Sequence, residues 1–196
     1  MNDSGTSCSC RSDELLQVAC ELIAREGFEG LRTRAVAQAA GINVATLHYY
    51  FPSKASLVAG VARHLDAQFR RIKADPVPQS PSRLHDMLQQ IRADARYRRQ
   101  HCPELKIVMQ EFLLRARRDA DVQQVLQGLQ ASWRAELAQE LVEAQMAGEL
   151  RLDVDVKLLA IMLHAQLVGL FCLGDDVEAI DEVLMAFELM AARPES

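Results

Sequence analysis

The sequence predicts an all-α chain of about nine helices, on the strength of three observations. Aromatic residues are only 5% of the 196 and glycines number 9, while Ala, Leu, Glu, Gln and Arg abound, so helix formers outweigh β-branched and turn residues. Apolar residues recur at three- and four-residue intervals along most of the chain. Most of these stretches open on a capping Ser, Thr, Asn or Asp, or close on Gly or Pro.

The first helix spans residues 12–26, with Leu15, Ala19, Leu22 and Ile23 on one face, Asp13 and Glu14 in its first turn and Gly27 as its stop. Thr33 stands as an N-cap before a helix of barely two turns, Arg34 to Ala40, and Gly41 supplies its left-handed end. Asn43 caps a third, equally short helix, Val44 to Tyr50. Two short helices so close together, with a glycine between them, form a helix-turn-helix pattern. Neither is stable alone, so both must pack on their neighbours through Ile42, Leu47 and Phe51, which makes residues 12–75 one folding unit.

Ser53 caps the fourth helix, whose stripe is Leu57, Val58, Val61, Leu65, Phe69 and Ile72. Three of the six prolines fall at Pro76, Pro78 and Pro81, which predicts a loop. The fifth helix carries Leu84, Leu88, Ile91 and Ala95, and the sixth opens at Pro103 and runs through Leu105, Val108, Met109, Phe112 and Leu113. Asp121 precedes the longest helix, about seven turns from Val122 to Gly148. Asp153 or Asp155 caps the eighth, Val156 to Leu173, and Gly174 separates it from a ninth carrying Val177, Ile180, Val183, Leu184 and Phe187.

Composition narrows the function classes. With 49% hydrophobic and 25% charged residues the chain is ordinary globular protein, not a disordered, collagen-like or disulfide-scaffold one. No run reaches the ~18 apolar residues of a membrane span, and Met1 to Arg11 lacks the basic flank and apolar run of a leader, so a soluble, cytoplasmic protein without a membrane partner is expected. Five scattered cysteines without a CxxC read as reduced thiols, with Cys8 and Cys10 in an unstructured arm; no metal site or cofactor is expected. A net charge of -5 argues against nucleic acid as a whole, but it hides a gradient. Leu31 to His64 holds Arg32, Arg34, Lys54 and Arg63 and no acid, whereas Met146 to Ser196 holds three basic and ten acidic residues. The front of the chain can face phosphate and its end cannot.

The informative motif runs Gly41-Ile42-Asn43-Val44-Ala45-Thr46-Leu47-His48-Tyr49-Tyr50-Phe51-Pro52-Ser53-Lys54-Ala55-Ser56-Leu57. It stands in register with Thr33-x-x-Val36-Ala37-x-x-Ala40-Gly41 and with Gly27-Phe28 closing the first helix. Over roughly residues 12–65 this resembles the helix-turn-helix signature of the TetR family of bacterial transcription regulators. Compact Val44, Ala45, Thr46 and His48 suit close approach to a major groove, Tyr49 and Tyr50 add phenolic donors, and Lys54 sits where helix four exposes unpaired amides. The resemblance implies that Thr33, Thr46, Tyr49, Tyr50 and Lys54 hold the DNA backbone while Arg34, Val44, Ala45 and His48 face bases. One departure is visible: the family usually has Tyr where His48 stands, and often His where Tyr50 stands. Leu47, Phe51 and Leu57 read as the core that holds the reader in shape.

One helix-turn-helix reads few base pairs, so a homodimer on a palindromic double-stranded operator is expected. Leu159, Met162, Leu163, Gln166, Leu167 and Leu170 of the eighth helix, with Leu184 and Phe187 of the ninth, are assigned to a four-helix dimer interface, with Gly169 allowing a close crossing. Met87, Ile91, Tyr97, Met109, Phe112 and Trp133 form a soft, adaptable set for the pocket of an unidentified small-molecule effector, against the plainer reading that they are core. His85, His101, Cys102, His164 and Gln166 are polar candidates on otherwise apolar segments. The organisation expected is an arm at 1–11, a DNA-binding domain at 12–56 and an effector and dimerisation domain at 57–196. The function expected is a ligand-released repressor and not an enzyme, since there is no Glu-x-x-His pair, HExxH, GxSxG or phosphate-binding glycine loop. The alternative is a helical small-molecule or protein-binding module without DNA-binding activity.

Overall fold

The computed structural model describes the backbone of residues 4–173 and 177–193 and the side chains of residues 11–170 and 178–193. Nine α-helices and one 3-10 turn occupy these residues, with an isolated antiparallel bridge between Leu150 and Ala192. The helices are α1 (Ser4–Glu26), α2 (Thr33–Ala39), α3 (Val44–Tyr50), α4 (Lys54–Arg71), α5 (Arg83–His101), α6 (Pro103–Ala116), α7 (Ala120–Met146), α8 (Val156–Leu173) and α9 (Val177–Ala191). α1 begins at Ser4 rather than at residue 12, so residues 4–11 are helical where an unstructured arm was expected. The side chains of Cys8 and Cys10 and the break expected at Gly174 lie outside the described residues.

The helices form two compact units. The first takes the chain up to Arg71 together with Pro103–Leu129, and the second takes Ile72–Cys102 and the chain from Gln130 onward. This grouping differs from the boundary expected at residue 56, because α4 stays with the first unit for its whole length and α6 joins it.

In the first unit, α1 lies against α4 and α6 and contributes Leu15, Ala19, Leu22 and Ile23, all buried. α1 and α4 come close at Gly60, where a Cβ would stand 2.9 Å from both Leu16 Cδ2 and Phe51 Cε1. Phe28, in the 3-10 turn Phe28–Gly30, meets Phe112 of α6 edge-on with ring centroids 5.2 Å apart. The Phe28 amide donates to Glu111 Oε2 at 2.8 Å, and Arg115 reaches Glu29 at 2.9 Å. α6 thus holds the turn that leads into the helix-turn-helix. Cys20 is buried here, its thiol pushed up to about 12 by burial and nearby glutamates, which makes it an inert apolar group. His64 lines a cleft of about 300 Å³ between α1 and α4. Its Nε2 lies 3.0 Å from the Gln68 amide nitrogen and 3.3 Å from Gln17 Oε1, and Arg71 donates to Gln68 Oε1.

The second unit has its own core, built by Leu84 and Leu88 of α5, Leu141 and Ala144 of α7, Leu159, Ala160 and Leu163 of α8, and Leu184 and Phe187 of α9. Salt bridges tie α5 to α9: Arg92 and Arg96 both pair with Asp181, and His85 Nδ1 lies 2.9 Å from Glu188. The proline-rich segment is a loop, as predicted, and it is fastened to α5. Ser80, Val77 and Ala74 donate their amides to Asp86, Gln90 and Asp94, residues spaced one turn apart on one helix face. Asp155, not Asp153, caps α8, accepting from Lys157 N at 2.8 Å. At the other end of the α7–α8 link, Glu149 accepts from the amides of Arg83 and Leu84 and from the Ser82 hydroxyl. Burial pushes the Glu149 carboxyl up, but those donors more than offset it and hold it below the usual range.

His64 and His164 are both buried, and burial above all holds their rings below the ordinary value of 6.5. In the unfolded chain both titrate near 6.5, so below that pH the unfolded state binds more protons than the folded one. Stability is therefore full above the unfolded value and falls as pH drops through it. Urea midpoints are expected to fall between pH 8 and pH 5, and the double variant His64→Gln with His164→Asn is expected to flatten that fall.

Candidate nucleic-acid interface

The reader is assembled by two turns. α2 ends in a Schellman motif, with Ile42 N donating to Ala37 O at 2.9 Å and Gly41 N to Gln38 O at 3.1 Å. The motif needs a left-handed residue, and Gly41 supplies it at φ 65° with no described atom within 4 Å of its missing Cβ. Asn43 then caps α3, its Oδ1 accepting from Thr46 N at 2.7 Å. Asn43→Ala is expected to cost about 1 kcal/mol of stability in urea melts, since a two-turn helix has little else to fix its start. Leu47 and Phe51 are buried, Val36 and Ala37 of α2 likewise, and Ile42 is half-buried, so packing leaves one outer face of the pair free.

α4 opens on a reciprocal pair, Ser56 N to Ser53 Oγ and Ser53 N to Ser56 Oγ, both at 3.0 Å. Lys54 follows as its first residue. A cation at the positive end of a helix dipole is locally unfavourable, so neither of these positive features explains the other. Both attract an anion to the start of the helix.

On the free face Ala45, His48 and Lys54 are exposed, Tyr49 is 76% exposed, and Val44, Thr46 and Tyr50 are half-buried. Tyr49 and Tyr50 meet edge-on at 5.2 Å, which stiffens the end of α3. On α2, Arg34 is exposed and Thr33 half-buried. Thr33 is the first residue of α2 rather than its cap. Arg32 holds the cap position, in extended conformation and with no side-chain capping bond. The structure also qualifies Thr46: its hydroxyl donates to Asn43 Oδ1 at 3.0 Å, so it has no proton for a phosphate oxygen without turning away. Arg32, Arg34, Lys54 and Arg63 form no ion pair among the described residues, whereas Arg11, Arg25, Arg70 and Arg115 of the same unit each do. Arg32 is the exposed cation that the motif passes over, and the acid-free charge count of residues 31–64 was the signal for it.

The bacterial regulatory protein model of the tetR family matches residues 15–61, over α1 to α4 and the reader just described, and a model of the C-terminal part of BetI-type transcriptional repressors matches residues 82–175. The chain belongs to the TetR family. Among its relatives, the transcriptional repressor KstR of Rhodococcus jostii is 35% identical over 82 residues, covering 41% of this chain and 39% of KstR. The transcriptional regulator RutR of Escherichia coli is 36% identical over 67 residues, 34% of this chain and 32% of RutR. The chain thus matches well under half the length of either. A transcriptional regulator of Saccharomonospora viridis, solved in complex with choline, superposes with a TM-score of 0.74 at 22% identity, covering 95% of this TetR-family chain and all of that one. At that identity the likeness establishes the fold.

The surface assigned to pairing in this TetR-family chain needs correction. Leu159, Leu163, Leu184 and Phe187 belong to the core of their own unit, and Met162, Gln166, Leu167 and Leu170 are half-buried, Leu167 packing against that core. The large apolar side chains that α8 and α9 leave exposed among the described residues are Leu158 at 55%, Ile161 at 52%, Met185 at 52%, Leu189 at 78% and Met190 at 42%. Periodicity does not separate the side that the chain's own core buries from the side left exposed, because both faces of α8 are apolar. No described atom lies within 4 Å of a Cβ built on Gly169, so no other helix among the described residues crosses there.

The residues expected to line an effector pocket are divided between the two units. Met109 and Phe112 fill the first unit beside Phe28. Met87 and Ile91 pack on the core of the second, Tyr97 stacks on His101 at 4.1 Å, and Trp133 lies 6.4 Å from His164. Core packing explains the first four. Among the described residues no three His, Cys, Asp or Glu side chains gather into a metal site, and no helix is long and apolar enough to cross a membrane.

Proposed function

We propose that this chain is a sequence-specific transcriptional regulator that binds a palindromic double-stranded operator as a homodimer, represses from it, and is released by a small-molecule effector. The observation that carries the reading is the set of cations, unpaired among the described residues, on and beside a two-helix reader whose outer side chains are small or phenolic. Arg32, Lys54 and Tyr49 contact backbone phosphates, fixing register, while Arg34, Ala45 and His48 approach base edges. Two such readers one DNA turn apart give the affinity that one lacks. The pairing surface is the exposed face of α8 and α9 around Ile161 and Met185. An effector that favours one spacing of the readers shifts operator affinity, which requires it to bind the two states unequally.

The test is a gel-shift titration on the promoter beside the chain's own gene at two salt concentrations. A specific complex that weakens steeply with salt is expected. Equal affinity for the promoter and for scrambled duplex would overturn the reading in favour of a helical binding module that does not read DNA.

A further inference from the structure

The second unit contains a polar cluster that its own fold leaves unsatisfied. His164, on α8, is 7% exposed, and its Nε2 is buried without a hydrogen-bond partner among the described residues. Leaving a buried polar atom unpaired is costly, and the ring would have been cheaper as Leu in this apolar helix. Across from it stands Trp133 of α7, the only tryptophan of the chain, with ring centroids 6.4 Å apart and planes inclined at 53°. The next residue, Arg134, is half-buried and makes no hydrogen bond or ion pair among the described residues. Its positive charge is the one that acts on His164, helping burial to keep the ring neutral. A half-buried arginine without a carboxylate, a neutral imidazole nitrogen without a partner, both among the described residues, and an indole ring therefore occupy one neighbourhood between α7 and α8.

We infer that Trp133, Arg134 and His164 form the head-group end of a site for a small carboxylate with an apolar body. The guanidinium supplies charge and up to two parallel donors for the carboxylate, neutral His164 adds a single hydrogen bond through Nε2–H, and the indole covers the first carbons of the body. A quaternary ammonium, the type of ligand held by the Saccharomonospora viridis neighbour, finds here a fixed charge of its own sign. This deepens the effector reading given above and rests on it.

Trp133 reports on the site directly, because all indole emission of the chain comes from it. The full chain without DNA is titrated with octanoate against octanamide, with 4-phenylbutyrate against 4-phenylbutyramide, and with choline. At least one carboxylate is expected to change the emission saturably and to bind at least about tenfold more tightly than its amide, with choline silent. Arg134→Gln is expected to abolish the preference for carboxylate over amide, and Arg134→Lys to retain part of it, both with unchanged thermal unfolding. Equal binding of acid and amide, a saturable response to choline, or no response to either carboxylate overturns the assignment, as does a preference that survives Arg134→Gln. The acid and amide comparison on the unmodified chain stands even if a variant fails to fold. Operator binding in the absence of ligand, measured by the same gel shift, separates failure of this site from failure of the regulator reading.

Discussion

Lys54→Ala is expected to weaken operator binding and to lower the slope of log affinity against log salt by about 2 for the dimer. Each lysine that neutralises a phosphate releases close to one condensed counterion, and a two-fold operator loses one such contact per half-site. Lys54 is exposed and has no ion pair among the described residues, so its removal leaves folding intact. Tyr49→Phe makes the complementary case. Tyr49 is 76% exposed and its hydroxyl makes no hydrogen bond among the described residues, so losing that hydroxyl removes a neutral donor to phosphate. Affinity is expected to fall by about 1 kcal/mol while the salt slope stays unchanged. Filter binding across a salt series separates the two effects. An unchanged slope for Lys54→Ala would remove the start of α4 from the interface.

Ile161→Glu is expected to give a monomer by light scattering, with operator affinity reduced by about a thousandfold or more. At 52% exposure Ile161 contributes little to its own chain's core, so the thermal midpoint of the monomer is expected to hold. Met185→Glu on the facing part of the surface is expected to do the same. Leu163→Ala makes the contrast, because Leu163 is fully buried in the core of the second unit and its truncation is expected to cost about 2–5 kcal/mol of folding stability. Were Ile161→Glu to remain a dimer of full mass, the pairing face would lie elsewhere.

Much of this protein could be read from its residues. Gly41 and Asn43 announced the turn between α2 and α3, because a left-handed residue and a side-chain cap are each demanded by backbone hydrogen bonds that only a few residue types can satisfy. Pro103 marked the start of α6 for the same local reason. Other boundaries escaped. α1 runs back to Ser4 through a polar stretch with no apolar period to declare it, and Arg32 rather than Thr33 holds the cap of α2. At the reader, sequence put Arg34, His48, Tyr49 and Lys54 where the structure exposes them. It could not show that the Thr46 hydroxyl is already given to Asn43.

Local chemistry determined the helices, many of their ends and the family of the reader, because caps, glycine turns and apolar spacing act over a few residues that lie next to one another in the chain. Only the tertiary structure decided which side of α8 is spent on the chain's own core, that Met109 and Phe112 serve the first unit while Met87 and Ile91 serve the second, and that His164 Nε2 has no partner among the described residues beside Trp133. These outcomes depend on which surfaces meet over long separations. An all-round apolar helix or a scattered set of soft side chains carries no sign of its neighbour until packing chooses one.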